Sequence, residues 1–288
     1  MKISTSNIGI LLYLSAMLAT VLLNIFVKSA IVKFQLPTTE VLCIRQTIIV
    51  LFLIPFMIKM KFNFFDKTTL KPNLIRNLLF SCSTLLLYTG MSKVPLNDAT
   101  AITFITPIIG SILAVKLLNE KTSKAIWIAL FLAIIGVMVV KTPSFQDENF
   151  ITGYGALFLC VIIRGYIVIL NKKLAGKFST MTLLFYTHTI MLLFSLCFFA
   201  KFVAVPIASL KYIAGAAVLF FIEYYLIFKA YKLSNAITLQ PLEFSRLIFM
   251  MILSELLLNE SITINQIIGG ALIISGYLFM LITKKRKQ

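Results

Sequence analysis

The sequence predicts an all-α membrane protein of ten transmembrane helices, built as a 5+5 inverted repeat. Three observations carry this expectation. The 288 residues are 60% hydrophobic and only 13% charged, with a mean hydropathy of +0.99, whereas soluble domains carry about 25% charged residues. Apolar stretches near bilayer-spanning length recur along nearly the whole chain. The second half also repeats the first. Residues 96–140, laid without a gap on 236–280, meet 12 identical residues in 45 positions. The block Leu117-Leu118-Asn119-Glu120 falls on Leu257-Leu258-Asn259-Glu260, Phe104 on Phe244, and Gly136 on Gly276.

Ten apolar stretches follow in order: 8–27, 39–58, 74–91, 98–118, 125–140, 151–171, 180–200, 207–228, 236–257 and 262–282. Most approach the roughly 20 residues that a helical span needs. The fifth is the shortest. The first lacks a small-x-small cleavage pattern and reads as a retained helix rather than a signal peptide. Residues 1–141 form the first repeat, 142–150 the linker and 151–288 the second repeat. The polar stretch 141–149, with Pro143, Asp147 and Glu148, marks the join. Other connections are short, so no soluble domain is inserted. Cys43, Cys82, Cys160 and Cys197 fall inside spans with no C-x-x-C pattern, and behave as small apolar residues. With one histidine, His188, there is no zinc-site pattern, and no metal or other cofactor is expected.

The formal charge of +17 would suggest nucleic acid in a soluble chain. Here it reads as loop lysines facing an anionic leaflet, so the lipid bilayer is the partner and no nucleic acid is expected. With the N-terminus cytoplasmic, cytoplasmic segments hold 18 Lys and Arg against 6 outside. Arg45, Arg164 and Arg246 remain within spans. Arg76 and Lys172 are counted among the cytoplasmic loop charges. Both termini are therefore placed inside. Five helices per half is an odd number, so the second copy must be inverted about an axis in the membrane plane. That arrangement is the mark of secondary carriers.

An ordered set of residues occurs at matching positions in the two halves. In the first half it comprises Val27-Lys28, Arg45, Pro95-Leu96-Asn97-Asp98-Ala99-Thr100-Ala101 leading to Pro107, Asn119-Glu120 and Gly136. In the second it comprises Pro241-Leu242-Glu243-Phe244-Ser245-Arg246, Asn259-Glu260, Gly269 and Gly276. Over essentially its whole length the chain resembles the ten-helix EamA-type members of the drug/metabolite transporter superfamily. The resemblance implies a central cavity lined mainly by helices one, three, four, six, eight and nine, with five and ten peripheral. It implies a small organic metabolite as substrate, such as an amino acid, a nucleotide-type compound, a vitamin or a drug.

Ionisable residues inside a span are costly and face a cavity or a partner. Glu243 and Arg246 share one face of helix nine, just after Pro241, which removes a backbone donor. Either Arg246 recognises a substrate carboxylate, or the two form an internal ion pair. Glu223, beside Tyr224 and Tyr225, could carry a proton or bind a cationic group with tyrosines in cation–π contact. The alternative is pairing with Arg164 or Lys229. Arg164, followed by Gly165 where helices can approach closely, serves either the site or an ion pair to Glu223 or Glu243. Arg45, near Glu40, reads as structural, and His188 as a packed residue. Tyr88, Thr100, Thr103 and Thr106 offer hydroxyls to a substrate or to neighbouring helices. Pro107 and Pro241 interrupt helices four and nine, and broken helices point to transport sites. Glu120 and Glu260 repeat, which argues for a structural task at the N-terminus of the helix following each.

The substrate-binding set is thus Glu243, Arg246, Glu223, Arg164, Tyr224, Tyr88 and Thr103, with no catalytic residues. The reading is a secondary transporter of a small polar metabolite, amino-acid- or nucleoside-like, crossing the bacterial inner membrane by alternating access. S-adenosylmethionine or riboflavin-type uptake is the alternative within the family. The abundance of Lys, Ile, Asn and Phe fits an AT-rich, host-dependent bacterium and uptake of a host metabolite. No G-x-x-x-x-G-K-[ST] motif for ATP is present, which leaves protons, an exchanged substrate or the substrate gradient as the energy source. H-E-x-x-H is also absent, which argues against a membrane-embedded enzyme. A homodimer is compatible with this plan.

Overall fold

The computed structural model describes residues 5–59, 66–91, 93, 102–140, 150–197, 205–258 and 263–285. All regular secondary structure among them is helical. The first half supplies α1 (Thr5–Phe34), α2 (Thr38–Lys59), α3 (Lys67–Met91), α4 (Thr106–Leu118) and α5 (Lys124–Val140). In the second half a π-turn at Phe150–Tyr154 leads into α6 (Gly155–Lys177), followed by α7 (Thr180–Cys197) and α8 (Ile207–Leu233). Helix α9 runs in three pieces: Ala236–Leu239, a 3-10 turn at Gln240–Phe244, and Ser245–Leu258. Helix α10 is Ile264–Lys285. Six of these, α1, α2, α6, α7, α8 and α9, are long and apolar enough to cross a membrane; the apolar parts of α4, α5 and α10 are shorter. Residues 141–149, which include the expected linker 142–150 except its last residue, the segment 94–101 and the pair Asn259-Glu260 lie outside the described residues.

Helix α3 begins at Lys67, not at 74. Lys67, Lys71 and Pro72 read as loop in the sequence, but Asp66 caps the helix. Its carboxylate accepts the hydroxyls of Thr68 (2.5 Å) and Thr69 (2.6 Å). Those hydroxyls, Thr68 foremost, hold the Asp66 carboxyl below its usual range, so it stays charged.

The packing follows the repeat. Helix α1 lies along α8 as α3 lies along α6; α9 meets α1 as α4 meets α6. Helix α5 pairs with α10, and α2 with α7. Exchanging the halves converts each pairing into another of them or into itself. Leu51, Ile58, Phe131, Ile162, Leu193, Val218 and Ile267 are more than half exposed, an apolar surface on a scale that suits lipid contact. Between helices in lipid, apolar burial gives little drive, so close backbone approach and polar contacts must hold the bundle.

The repeated glycines supply that approach. A Cβ on Gly136 would stand 2.6 Å from the Gly269 carbonyl oxygen, and one on Gly276 would stand 3.2 Å from the backbone of Ala129. Both positions lie in the α5–α10 contact, which accounts for their repetition. Gly165 fulfils its expected packing role: a Cβ there would meet the Ile109 side chain at 2.4 Å.

Helices α4 and α9 are interrupted at the same repeat position, although their prolines differ. Gln240–Phe244 forms the 3-10 piece around Pro241. Its counterpart is a turn closed by Ile105 N–H to Ile102 O at 2.9 Å, just before α4 starts with Pro107 in its first turn. The repeat-equivalent rings Phe104 and Phe244 stack across the break, with centroids 5.4 Å apart and planes 18° from parallel.

Glu120 does not act on the helix that follows it. Its Oε1 accepts the Ala236 N–H (2.9 Å) and its Oε2 the Ile237 N–H (2.8 Å), capping α9 in the other half. Asn119, in the left-handed region at φ 52°, ends α4 and turns the chain toward that contact. Lys172, read as a loop charge, instead donates to the carbonyls of Tyr231 (2.7 Å) and Ser234 (2.6 Å) at the end of α8. The α8–α9 turn is thus held by one carboxylate and one ammonium from different helices.

Replacing Gly136 by Ala should destabilise the detergent-solubilised protein by about 1–3 kcal/mol, the usual effect of overpacking. Gly155→Ala, where a Cβ meets nothing within 4 Å, should leave the thermal unfolding midpoint unchanged or raised. Glu120→Ala should cost about 0.5–2 kcal/mol, the range for a lost N-cap, readable in the same melts.

Candidate functional site

A cavity of about 850 Å³ lies in the middle of the bundle. One end is formed by Tyr13, Asn171, Tyr231 and Gln240, within a turn or so of the clamped α8–α9 connection. The other reaches Thr39 at the start of α2 and Ser195 near the end of α7. Helices α1, α3, α4, α6, α8 and α9 line it, as the resemblance implies, and no described residue of α5 or α10 is among the lining. Helices α2 and α7 also line it, through Leu42, Arg45, Gln46, Met191 and Phe194. Arg45 is therefore a wall residue of the cavity rather than remote from it. Its guanidinium stacks on the Phe220 ring at 4.0 Å, because α2 packs against α7 and α8 and turns that face inward.

Glu223, Glu243, Arg164, Arg246, Tyr224 and Thr103 all line this one cavity. The side chain of Tyr88 and the whole of Thr100 lie outside the described residues. Thr103 and Glu243 occupy equivalent repeat positions, as do Thr106 and Arg246. The cavity wall thus carries hydroxyls in the first half where the second half carries a charged pair.

Glu243 and Arg246 form the expected ion pair, Nη2 to Oε2 at 2.8 Å, one turn apart and only partly shielded. The Tyr13 hydroxyl donates to the other carboxylate oxygen. Tyr13 in turn meets Tyr231 edge-on at 5.9 Å, and Tyr231 accepts the Gln240 amide at 3.3 Å. The Arg246 guanidinium also lies 5.5 Å from the Phe104 centroid, so the α9 pair is seated on the broken-helix junction.

Glu223 is 9% exposed, and its Oε2 has no hydrogen-bond partner among the described residues. The alternative, pairing with Arg164 or Lys229, does not form among the described residues. Lys229 lies over Tyr225 instead, at 5.6 Å. Arg164 forms no ion pair among the described residues either: its Nε is unpaired and its guanidinium lies 6.0 Å from the Phe80 centroid. Phe220, Glu223 and Ile227 share the cavity-facing stripe of α8, and Tyr224 sits against Phe220 at 4.9 Å. His188 is fully buried outside the cavity, its Nδ1 2.8 Å from Gln46 Oε1.

Arg76 is the residue that the sequence concealed. Counted as a loop charge, it is 1% exposed. Its Nε donates to Asn171 Oδ1 at 2.8 Å, and its Nη1 to Thr187 Oγ1 at 3.1 Å and to Asn77 Oδ1. The rings of Phe80, Tyr224 and Phe228 surround it at 5.3–5.4 Å. Three of these neighbours, Asn171, Phe80 and Tyr224, are cavity wall, so Arg76 braces the wall from behind. Asn73, Arg76 and Asn77 fall on one helical face within an otherwise apolar stretch, and that spacing was the available signal. Tyr13, Tyr231, Asn171 and Gln240 carried no comparable signal.

The profile of the EamA-like transporter family matches residues 7–142 and again 151–282. The S-adenosylmethionine uptake transporter of Rickettsia prowazekii (strain Madrid E) is 26% identical over 272 residues, covering 91% of this chain and 89% of that protein. The protein of the same name from Rickettsia bellii (strain RML369-C) is also 26% identical, over 268 residues, covering 90% of this chain and 89% of the relative. The riboflavin transporter of Vibrio cholerae serotype O1 is 25% identical over 245 residues, covering 83% and 81%. A solved crystal structure superposes with a TM-score of 0.82 over 95% of this chain and 98% of its own, at 15% identity, a likeness of fold. With both halves matched, the chain belongs to the EamA-like transporter family, multi-pass membrane proteins that carry small molecules.

Proposed function

We propose that this transporter is a secondary carrier for a polar, amino-acid- or nucleoside-like metabolite bearing both a cationic and an anionic group, with S-adenosylmethionine the leading candidate. One observation carries the reading: Glu223 and Arg164 line a single cavity, and a carboxylate oxygen of one and a guanidinium nitrogen of the other have no partner among the described residues, while Glu243 and Arg246 satisfy each other. Buried polar groups left unmade are expensive, and a ligand that supplies both partners offsets that cost.

A cationic centre would lie against Glu223 with Tyr224 in cation–π contact. A carboxylate would take the Arg164 fork, whose paired donors match its geometry. The volume suits a nucleoside-sized solute. Two features of the Rickettsia relatives support this reading: the substrate in their names and the similarity over nearly the full length of both chains. In this reading the chain crosses the bacterial inner membrane ten times as an inverted repeat, with repeats at 1–141 and 151–288 and both termini cytoplasmic. Withdrawing Arg76 and Lys172 from the loop charges leaves the Lys and Arg bias in the same direction. Alternating access then means opening the α8–α9 end while closing the other.

Counterflow of labelled S-adenosylmethionine in liposomes tests this. Wild-type protein should show saturable exchange, competed by excess unlabelled substrate. Glu223→Gln and Arg246→Ala should each lower it about 10- to 100-fold, the worth of one charge-assisted hydrogen bond, and Glu243→Gln should do likewise by stranding Arg246. Arg45→Lys should have a smaller effect. Unchanged rates in Glu223→Gln would remove the cation subsite. No exchange with S-adenosylmethionine but exchange with riboflavin would reassign the substrate.

A further inference from the structure

A second concavity, of about 380 Å³, lies on the outside of the bundle between the start of α3 and the end of α6. Its walls are apolar, from Pro72, Leu170, Leu174 and Phe178, and its rim carries Lys173 and Lys177. Both lysines are exposed and form no ion pair among the described residues. Lys67 and Lys71, likewise exposed, stand one residue before Thr68 and Pro72, which line the same groove. The nearby acid, Asp66, is engaged by Thr68 and Thr69. Farther along the two helices Ile75, Leu78 and Tyr166 are exposed, so α3 and α6 each continue as an apolar outer face.

We infer that this groove binds one anionic phospholipid, with its phosphate at Lys173 and Lys177 and an acyl chain along the α3–α6 seam. Charge complementarity selects the occupant. Two adjacent ammonium groups at the end of a spanning helix stand at headgroup depth, where basic pockets between helices take anionic lipids. The apolar floor suits a chain and gives a free anion nothing. The lipid would rest on the outer face of the α6 turn whose inner face presents Asn171 to the cavity and to Arg76. Occupancy should therefore stabilise the folded bundle by mass action.

The test uses the whole purified chain in detergent, titrated with phosphatidylglycerol or phosphatidylcholine and followed by native mass spectrometry and thermal melts. Wild-type protein should retain one phosphatidylglycerol through delipidation, with a midpoint raised on the order of 5 °C. The double variant Lys173→Gln/Lys177→Gln should lose that retention and that shift. Lys116→Gln/Lys121→Gln, which removes equal charge from the neighbouring α4–α5 connection, should keep both. Equal retention of phosphatidylcholine, equal loss in the control variant, or the same stabilisation by inorganic phosphate alone would each overturn the assignment. The result is independent of which solute the cavity carries.

Discussion

A bilayer has no water to satisfy a broken helix, so each interruption must find its hydrogen-bond partners inside the protein. The α8–α9 connection shows how this chain meets that demand. The amides that open α9 are taken by Glu120 from the opposite repeat, and the carbonyls that end α8 by Lys172. Each group also carries the charge that its helix end favours, carboxylate at an N-terminus and ammonium at a C-terminus. Because the capping side chains, an acceptor and a donor, come from the α4–α5 turn and from α6, the caps tie three segments together. Ser234 adds a bond to the backbone of Ser6 at 2.9 Å, which brings α1 into the same junction.

From that junction the cavity follows. Fixing the start of α9 fixes the 3-10 turn at Pro241, which presents Glu243 and Arg246 inward against Tyr13 and Phe104. The stack of Phe104 on Phe244 keeps the two interrupted helices in register across the axis. Charge then divides into two kinds. The α9 pair is self-satisfied and serves as wall. Glu223 and Arg164 hold atoms with no partner among the described residues, which is why the proposed recognition falls on α8 and α6. At the cavity the halves differ in chemistry, with Thr103 and Thr106 of one standing where Glu243 and Arg246 stand in the other.

The sequence exposed its helices readily, because apolar length is a local property. Even so, α3 was cut short, since Lys67, Lys71 and Pro72 look like loop until Asp66 is seen to cap them. The repeat marked Gly136, Gly276, Glu120 and Phe104 as special without saying why. Two glycines proved to be points of backbone contact, and Phe104 to be half of a symmetric stack. Sequence position assigns Glu120 to the helix that follows it, but the N-terminus nearest in space is that of α9. Arg76 and Lys172 were assigned to solvent for the same reason: a basic residue near a span's end is usually a loop charge.

What the sequence determined alone is whatever depends on composition and period: an all-helical membrane protein, a duplicated plan with repeated glycines, and a set of intramembrane charges. What the tertiary structure decided is which charges face one another. Ion pairing falls off over a few ångströms, so it depends on helix rotation and crossing, to which hydropathy is blind. Arg246 and Glu243 could be paired in advance because they lie one turn apart on one helix. Arg45 above Phe220, Arg76 behind the cavity wall and Glu120 on α9 are contacts between segments distant in sequence, and only the packed bundle brings them within reach.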